Sequence, residues 1–386
     1  MTTPSVPNHR PDGYGGPVTL RRVELVRVDL PLVRPFRTSF GTERVRDVLL
    51  VHVETDGGEG WGEVAAQAGP FYNEEFVDAS ALVIERFAVP ALAGVDHLTA
   101  ADVGPTLARI KGYPAAKAGL EMALLDAELR ATGTRLADHL GGVRDAVDVG
   151  GSVGMTGSVA ALVEVVAGHV EEGYRRVKLK IEPGFDTAPV AAVRDAFPDL
   201  PLQVDANASY RPSDVDRLCR LDSFGLLMVE QPFAADDLAT HAALARRMAT
   251  PVCLDESITS ARTAAAAIDA GACSIVNLKV ARVGGLLACA SLHDLCRERS
   301  VPVWCGGMLE SGVGRAANIA LATLPGFTYP GDISATSRYF HRDVTEPFEL
   351  TGSQLAVPTG PGLGVTVDDH VLAELGGSRR DVLAPG

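Results

Sequence analysis

Three acidic residues stand at the ends of three strand-like segments, each 25 residues beyond the last: Asp205 in PLQVDAN, Glu230 in LLMVEQP and Asp255 in PVCLDES. One strand, one helix and two short loops use about that many residues in a (β/α)8 barrel, where eight units take about 250. An acid at the same place in three successive units therefore puts three carboxylates side by side at one barrel mouth. Crowded carboxylates repel one another and need a cation to hold them. The spacing predicts a barrel and, at its mouth, a metal site.

The surrounding pattern agrees. From about Asp148 short apolar strands alternate strictly with amphipathic helices, and eight strands are read: VDVGGSVGM, RRVKLKI, LPLQVDA, GLLMVEQP, PVCLDES, CSIVNLKVA, VPVWCGG and, weakest, FTYPGD. Upstream, VELVRVDLPL and DVLLVHVETDGGEGWGE read as antiparallel strands with a hairpin at Asp56-Gly57-Gly58. Three helical patterns follow, the last ending at Gly133. Strands and then a run of helices describe an α+β module. The expected architecture is a (β/α)8-type (modified TIM) barrel over 146–340, with an α+β capping domain from 21–145. Residues 1–20 are expected to form a flexible N-terminal tail, and the segment 341–386 to return to the capping domain.

Composition narrows the partners. A net charge of −14 argues against nucleic acid and anionic membrane surfaces, which both demand basic patches. No apolar run reaches the ~18 residues that span a bilayer, and the N-terminus lacks a signal-peptide core. The six cysteines show no CxxC pairing and read as reduced, buried thiols of a cytoplasmic protein. No GxGxxG follows a strand and no GxxxxGK[ST] occurs, so neither dinucleotide nor P-loop binding is supported. The histidines show no ligand spacing and read as structural.

Lysines complete the constellation. In Val177-Lys178-Leu179-Lys180-Ile181 the side chains alternate, so apolar residues face the helices and Lys178 and Lys180 face the barrel mouth. Lys279, at the end of the sixth strand, lies four strands round the ring from Lys180. Two lysines then flank the substrate, with the acids on the arc between them. Such an arrangement suits removal of a proton next to a carboxylate: a hard divalent cation on oxygen ligands, Mg²⁺ or Mn²⁺, offsets the charge of the enediolate. The base must be neutral near pH 7, and Lys178 beside Lys180 favours that.

The set KxK, Asp, Glu, Asp-Glu-Ser and a sixth-strand Lys resembles the enolase superfamily, muconate-lactonising subgroup. The stretch PVWCGGMLESGVGRAANIALATLPGFTYPGDISATSRYF and the segment AVPTGPGLGV are similar to the o-succinylbenzoate synthase / N-acylamino acid racemase family. The resemblance runs from about Val23 to Val367. It implies that Asp205, Glu230 and Asp255 hold one Mg²⁺ or Mn²⁺ and that Lys180 and Lys279 are the acid/base pair. It also implies substrate contacts from Ser152, Lys178 and Asn207, and supporting roles behind the lysines or metal for Glu256, Arg282 and Glu310. The loop Phe36–Arg44 corresponds to the family's lid. The implied partner is a small carboxylate substrate, and the implied assembly a homo-oligomer.

Two lysines on opposite faces suit racemisation, and the same pair serves syn-dehydration to o-succinylbenzoate. The constellation does not separate isomerase from lyase. At Arg282, three residues after Lys279, the chain resembles family members with N-succinylamino acid racemase activity, where many dedicated synthases carry an apolar residue; the resemblance implies an N-acylamino acid racemase that retains synthase activity, and a plain rim salt bridge is the alternative for this residue. A dipeptide epimerase fits less well, because Asp332 stands alone where that activity places an acidic pair. A catalytically dead scaffold would have lost a ligand or a lysine, and none is missing.

Overall fold

The computed structural model describes residues 18–384, so residues 1–17 of the expected tail lie outside the described residues. Strands β1 (Leu20–Thr38), β2 (Gly41–Thr55) and β3 (Gly58–Val64) form an antiparallel meander, and Asp56-Gly57 makes the second turn. Expected as a polar loop, Phe36–Arg44 is instead the tip of the β1–β2 hairpin. Pairing resumes at Phe36↔Glu43 after a register shift between Pro31 and Phe36. Pro31 and Pro35 have no N–H to donate and bracket this break in the ladder, which resumes beyond them.

A helix at Pro114–Thr132 lies across this sheet, starting on a proline and ending at Gly133 with φ +68°. Gly60 and Gly62 on β3 let strand and helix backbones touch. A Cβ on Gly62 would lie 2.1 Å from the Gly119 carbonyl, and one on Gly60 2.2 Å from that of Ala123. The preceding segment, expected as one helix, is broken by a π turn at Ile84–Ala88 and by Pro90.

After β4 (Ala146–Asp148) the parallel strands are β5 (Gly151–Val153), β6 (Val177–Lys180), β7 (Leu202–Asp205), β8 (Val229–Glu230), β9 (Val252–Leu254), β10 (Ile275–Leu278) and β11 (Val303–Cys305), neighbours in that order. Seven of the eight expected strands are regular. The eighth, FTYPGD, closes the ring only through isolated parallel bridges, Phe327 to Val303 and Gly331 to Val149. Pro330 has no N–H to donate, which limits any ladder here. The N–H groups of Thr328 and Asp332 still reach β11, and that of Gly331 reaches Asp148.

Alternation along the strands sorts the side chains as expected. Val177, Leu179 and Ile181 join the helix residues Leu162, Val166, Val190 and Val193 in one core. Inside the ring, Met228, Cys253, Ile275 and Trp304 form a separate apolar floor, with the Trp304 indole donating to Cys253 Sγ at 3.3 Å.

Of the last residues, β12 (Gln354–Ala356) pairs with β4 beside the barrel, and β13 (Ser378–Leu383) pairs with β1. The glycine-rich turn between them locks onto the long helix and the short one after it: Leu363 N donates to Asp126, and Gly362 O accepts from Leu136 N, the first residue of the helix Leu136–Leu140.

Candidate active site

Strand register gathers the polar residues at the carboxyl ends of the parallel strands. Lys180 lies level with Asp205, Asp205 with Glu230, and Glu230 with Cys253. Asp255, two residues beyond Cys253, therefore shares its inward side. Ser152 lies level with Lys178 on the other flank. Ser152, Lys178, Lys180, Asn207 and Lys279 all line one cavity of about 390 Å³. Lys180 and Lys279 enter it from strands four apart in the ring.

Each acid is held by cations. Asp205 Oδ2 accepts from Lys180 at 2.7 Å and lies 3.0 Å from the Lys178 ammonium. Glu230 accepts from Lys178 at 3.1 Å and from the Asn277 amide at 2.6 Å. Asp255 accepts from Lys279 at 2.8 Å and from Arg282 through its other oxygen. The carboxylates are turned towards these partners: among the described residues, no three His, Cys, Asp or Glu side chains are grouped to hold a metal ion.

The charges shape the titrations. Burial pushes Asp205 up, but the Lys180 and Lys178 ammoniums outweigh it and hold the carboxyl below its usual range. Asp255 is likewise held low, by Arg282 and Lys279 against burial. Glu230, equally buried and beside the Asp205 charge, is pushed up to about 8. Burial lowers Lys279, yet Asp255 and the other acids keep it above its ordinary value, with Arg282 opposing them.

The supporting residues divide. Asn207, held at φ +42°, accepts from Lys180 at 2.6 Å and donates to Glu256 at 3.0 Å. Glu256 is pushed up to about 7 by burial and then by Asp255 and Asp205. Arg282 is buried and fully engaged, bonding the Ile258 and Asn277 carbonyls besides Asp255. Its salt bridge and its charge beside Lys279 coexist, so the two readings of this residue are not exclusive. Among the described residues, Glu310 makes no ion pair or hydrogen bond to a lysine. Its carboxylate accepts from Met308 N and the Asn318 amide, turning back under the loop that follows β11.

Several residues escaped the sequence reading. Asp332 accepts from Arg176 at 2.7 Å and lies 2.5 Å from the Lys178 ammonium. It ends the eighth strand as the other acids end theirs, and that position was a usable signal. Asn277 was also accessible, two residues before Lys279 on the same side of its strand. Gln231 accepts the N–H groups of Asp255 and Ser257, fixing the end of β9. Trp304 lies under Lys178, with the ammonium 5.0 Å from the ring centroid. Tyr72 reaches in from outside the barrel, accepting from Lys279 at 3.0 Å and donating to Asp255 at 3.3 Å. Nothing in the pattern around GPFYNEE marks it.

A parallel barrel whose successive strand ends carry three acids flanked on either side by lysines, with an antiparallel sheet beside it, defines an enzyme of the enolase type. Residues 161–371 match the enolase C-terminal domain-like family and residues 21–141 the mandelate racemase / muconate lactonizing enzyme N-terminal domain. The chain belongs to this family, in the muconate-lactonising subgroup of the enolase superfamily, whose shared chemistry is metal-dependent proton abstraction. It is 55% identical over 357 residues to an N-succinylamino acid racemase of Amycolatopsis sp, covering 92% of this chain and 97% of the relative. It is 46% identical to an o-succinylbenzoate synthase of Geobacillus kaustophilus, over 91% and 94% of the two chains. A solved enolase-superfamily structure from Listeria innocua superposes with a TM-score of 0.91 at 39% identity, over 95% of this chain and 99% of that one. Among the described residues, no helix is long and apolar enough to cross a membrane.

Proposed function

We propose that this chain removes the proton α to a carboxylate and racemises N-acyl amino acids, N-succinyl derivatives above all. The same site forms o-succinylbenzoate by dehydration. The observation that carries the reading is the entry of Lys180 and Lys279 into one cavity from strands four apart. One lysine holds the proton taken from one face of the substrate and the other returns a proton to the opposite face, which inverts the centre. For dehydration one lysine serves as base and then acid, and the opposite ammonium faces the enediolate.

Asp205, Glu230 and Asp255 are the residues that would hold one divalent ion, Mg²⁺ or Mn²⁺. The donor set fits: all-oxygen, buried, and crowded enough that Glu230 is displaced upward by burial and its acidic neighbour. The Lys178 ammonium, within 3.1 Å of both Asp205 and Glu230, shows that this crevice accepts positive charge. A bound divalent ion supplies positive charge against the developing enediolate and competes with the ammonium groups for their carboxylates.

Around it the protein's own groups do the positioning. Asn207 orients Lys180, Tyr72 and Arg282 fix Lys279 and Asp255, and the Phe36–Arg44 hairpin tip covers the mouth. Six unpaired cysteines support a cytoplasmic location, and a homo-oligomer is proposed from kinship alone. The test is incubation of N-succinyl-L-phenylalanine in D₂O with Mg²⁺ or Mn²⁺, following optical rotation and α-deuterium, beside the o-succinylbenzoate precursor. Loss of rotation with α-deuteration, abolished by chelator, is expected. Turnover of the precursor alone would make the protein a dedicated synthase, and silence with both substrates would remove the assignment.

A further inference from the structure

The cavity holds four lining cations: Lys178, Lys180, Lys279 and Arg44. The three lysines are committed to Asp205, Glu230, Asp255 and Asp332. Arg44 differs. It is exposed on the hairpin tip, and among the described residues its guanidinium has no ion pair or hydrogen-bond partner. Its acidic neighbour Glu43 is engaged by the buried Arg46 at 3.3 Å and does not need it.

The hairpin tip is seated on the site itself. Ser39 Oγ lies 3.5 Å from the Asn207 carbonyl, and the Phe40 ring packs 5.4 Å from that of Tyr72. The same cavity is lined by the apolar Phe36, Phe40, Val45 and Leu309, and by two acids already engaged, Glu43 by Arg46 and Asp332 by Arg176 and Lys178. The lining thus joins buried ammonium groups, apolar side chains and one exposed guanidinium that has no partner of its own among the described residues. Such a surface matches a substrate with two carboxylates separated by apolar atoms.

We propose that Arg44 receives the distal carboxylate of the substrate's succinyl group, and so sets a preference for dianionic over monoanionic N-acyl substrates. The inference rests on the proposed function and names the part of the site that reads the acyl group. A guanidinium takes a carboxylate through two parallel N–H donors, which an ammonium cannot match. Exposure at the rim weakens the pair and makes it salt-sensitive.

The experiment compares kcat and KM for α-deuterium exchange with N-succinyl-L-phenylalanine and N-acetyl-L-phenylalanine in wild type, Arg44→Gln and Arg44→Lys. Matched melting temperatures confirm that the variants are folded. The expected result is a fall of about tenfold in the succinyl-to-acetyl ratio of kcat/KM in Arg44→Gln, carried by KM, with partial recovery in Arg44→Lys. High salt is expected to shrink the wild-type preference. An unchanged ratio in Arg44→Gln, or wild-type exchange equally efficient on both substrates, would overturn the role of Arg44 while leaving the proton abstraction intact. No exchange on either substrate would overturn the proposed function and this inference together.

Discussion

Glu121 is a buried carboxyl on the helix Pro114–Thr132 that caps a helix of the barrel, Leu286–Glu298, accepting Leu287 N at 3.0 Å. The contact is close: a Cβ on Gly285, the residue before that helix, would lie 2.3 Å from the carboxyl oxygens. Burial pushes Glu121 up to about 8 against these hydrogen bonds, from 4.5 for a free carboxyl. The native state therefore binds the proton more tightly than the unfolded chain. Its contribution is fully present below pH 4.5 and declines as pH rises to about 8, by about 5 kcal/mol in all.

Glu121→Gln keeps an acceptor for the N–H groups and removes the titration. For 386 residues, at about 2.1 cal/mol/K each, the unfolding entropy is about 0.8 kcal/mol/K, so the difference is worth about 6 °C. The assay is calorimetric melting of wild type and Glu121→Gln side by side at pH 5 and pH 8.5. Both proteins share every other titrating carboxyl, so the difference isolates this one. The variant is expected to match wild type at pH 5 and to melt about 6 °C higher at pH 8.5. A variant that melts lower at pH 8.5 would refute the reasoning, because it would show a charged carboxylate stabilised by the helix N-terminus.

Three further outcomes are expected. Gly62→Ala drives a methyl into the Gly119 carbonyl, and circular dichroism should show loss of the cooperative fold or a large drop in Tm. Tyr72→Phe removes the hydrogen bond accepted from Lys279 and the longer one donated to Asp255, and leaves the Lys279–Asp255 pair; kcat should fall about tenfold with KM little changed, since bonds to charged groups are worth about 1.5–3 kcal/mol. Mg²⁺ or Mn²⁺ at about 100 times its Kd should raise Tm by about 3 °C in scanning fluorimetry, from about 2.7 kcal/mol of linkage, and EDTA should reverse it. An unmoved Tm would count against the three-acid ion site.

What could be read in the chain followed strand periodicity. The 25-residue spacing brought Asp205 and Glu230 into register with Lys180, and the VKLK alternation separated lysines from core. What could not be read depended on partners distant in sequence. Tyr72 meets Lys279 across 207 residues and belongs to no repeat. Glu310 follows its strand like the other acids, yet the backbone turns it to Met308 N and Asn318. The ring closes through Phe327–Asp332 without a ladder, so a strand-by-strand reading undervalued a segment whose acid, Asp332, joins Asp205 and Glu230 in holding Lys178. The ion pairs that now hold the three acids follow from full burial, which spacing does not report.

The central claim is that Lys180 and Lys279 serve opposite faces of one substrate. Lys180→Ala and Lys279→Ala should each be incubated in D₂O with the separate L and D enantiomers of N-succinylphenylalanine, and α-deuterium followed by NMR. The account predicts that neither variant racemises, that each still exchanges the α-proton of one enantiomer, and that the two variants retain opposite enantiomers. Retention of the same enantiomer in both, or racemisation surviving the loss of either lysine, would contradict it.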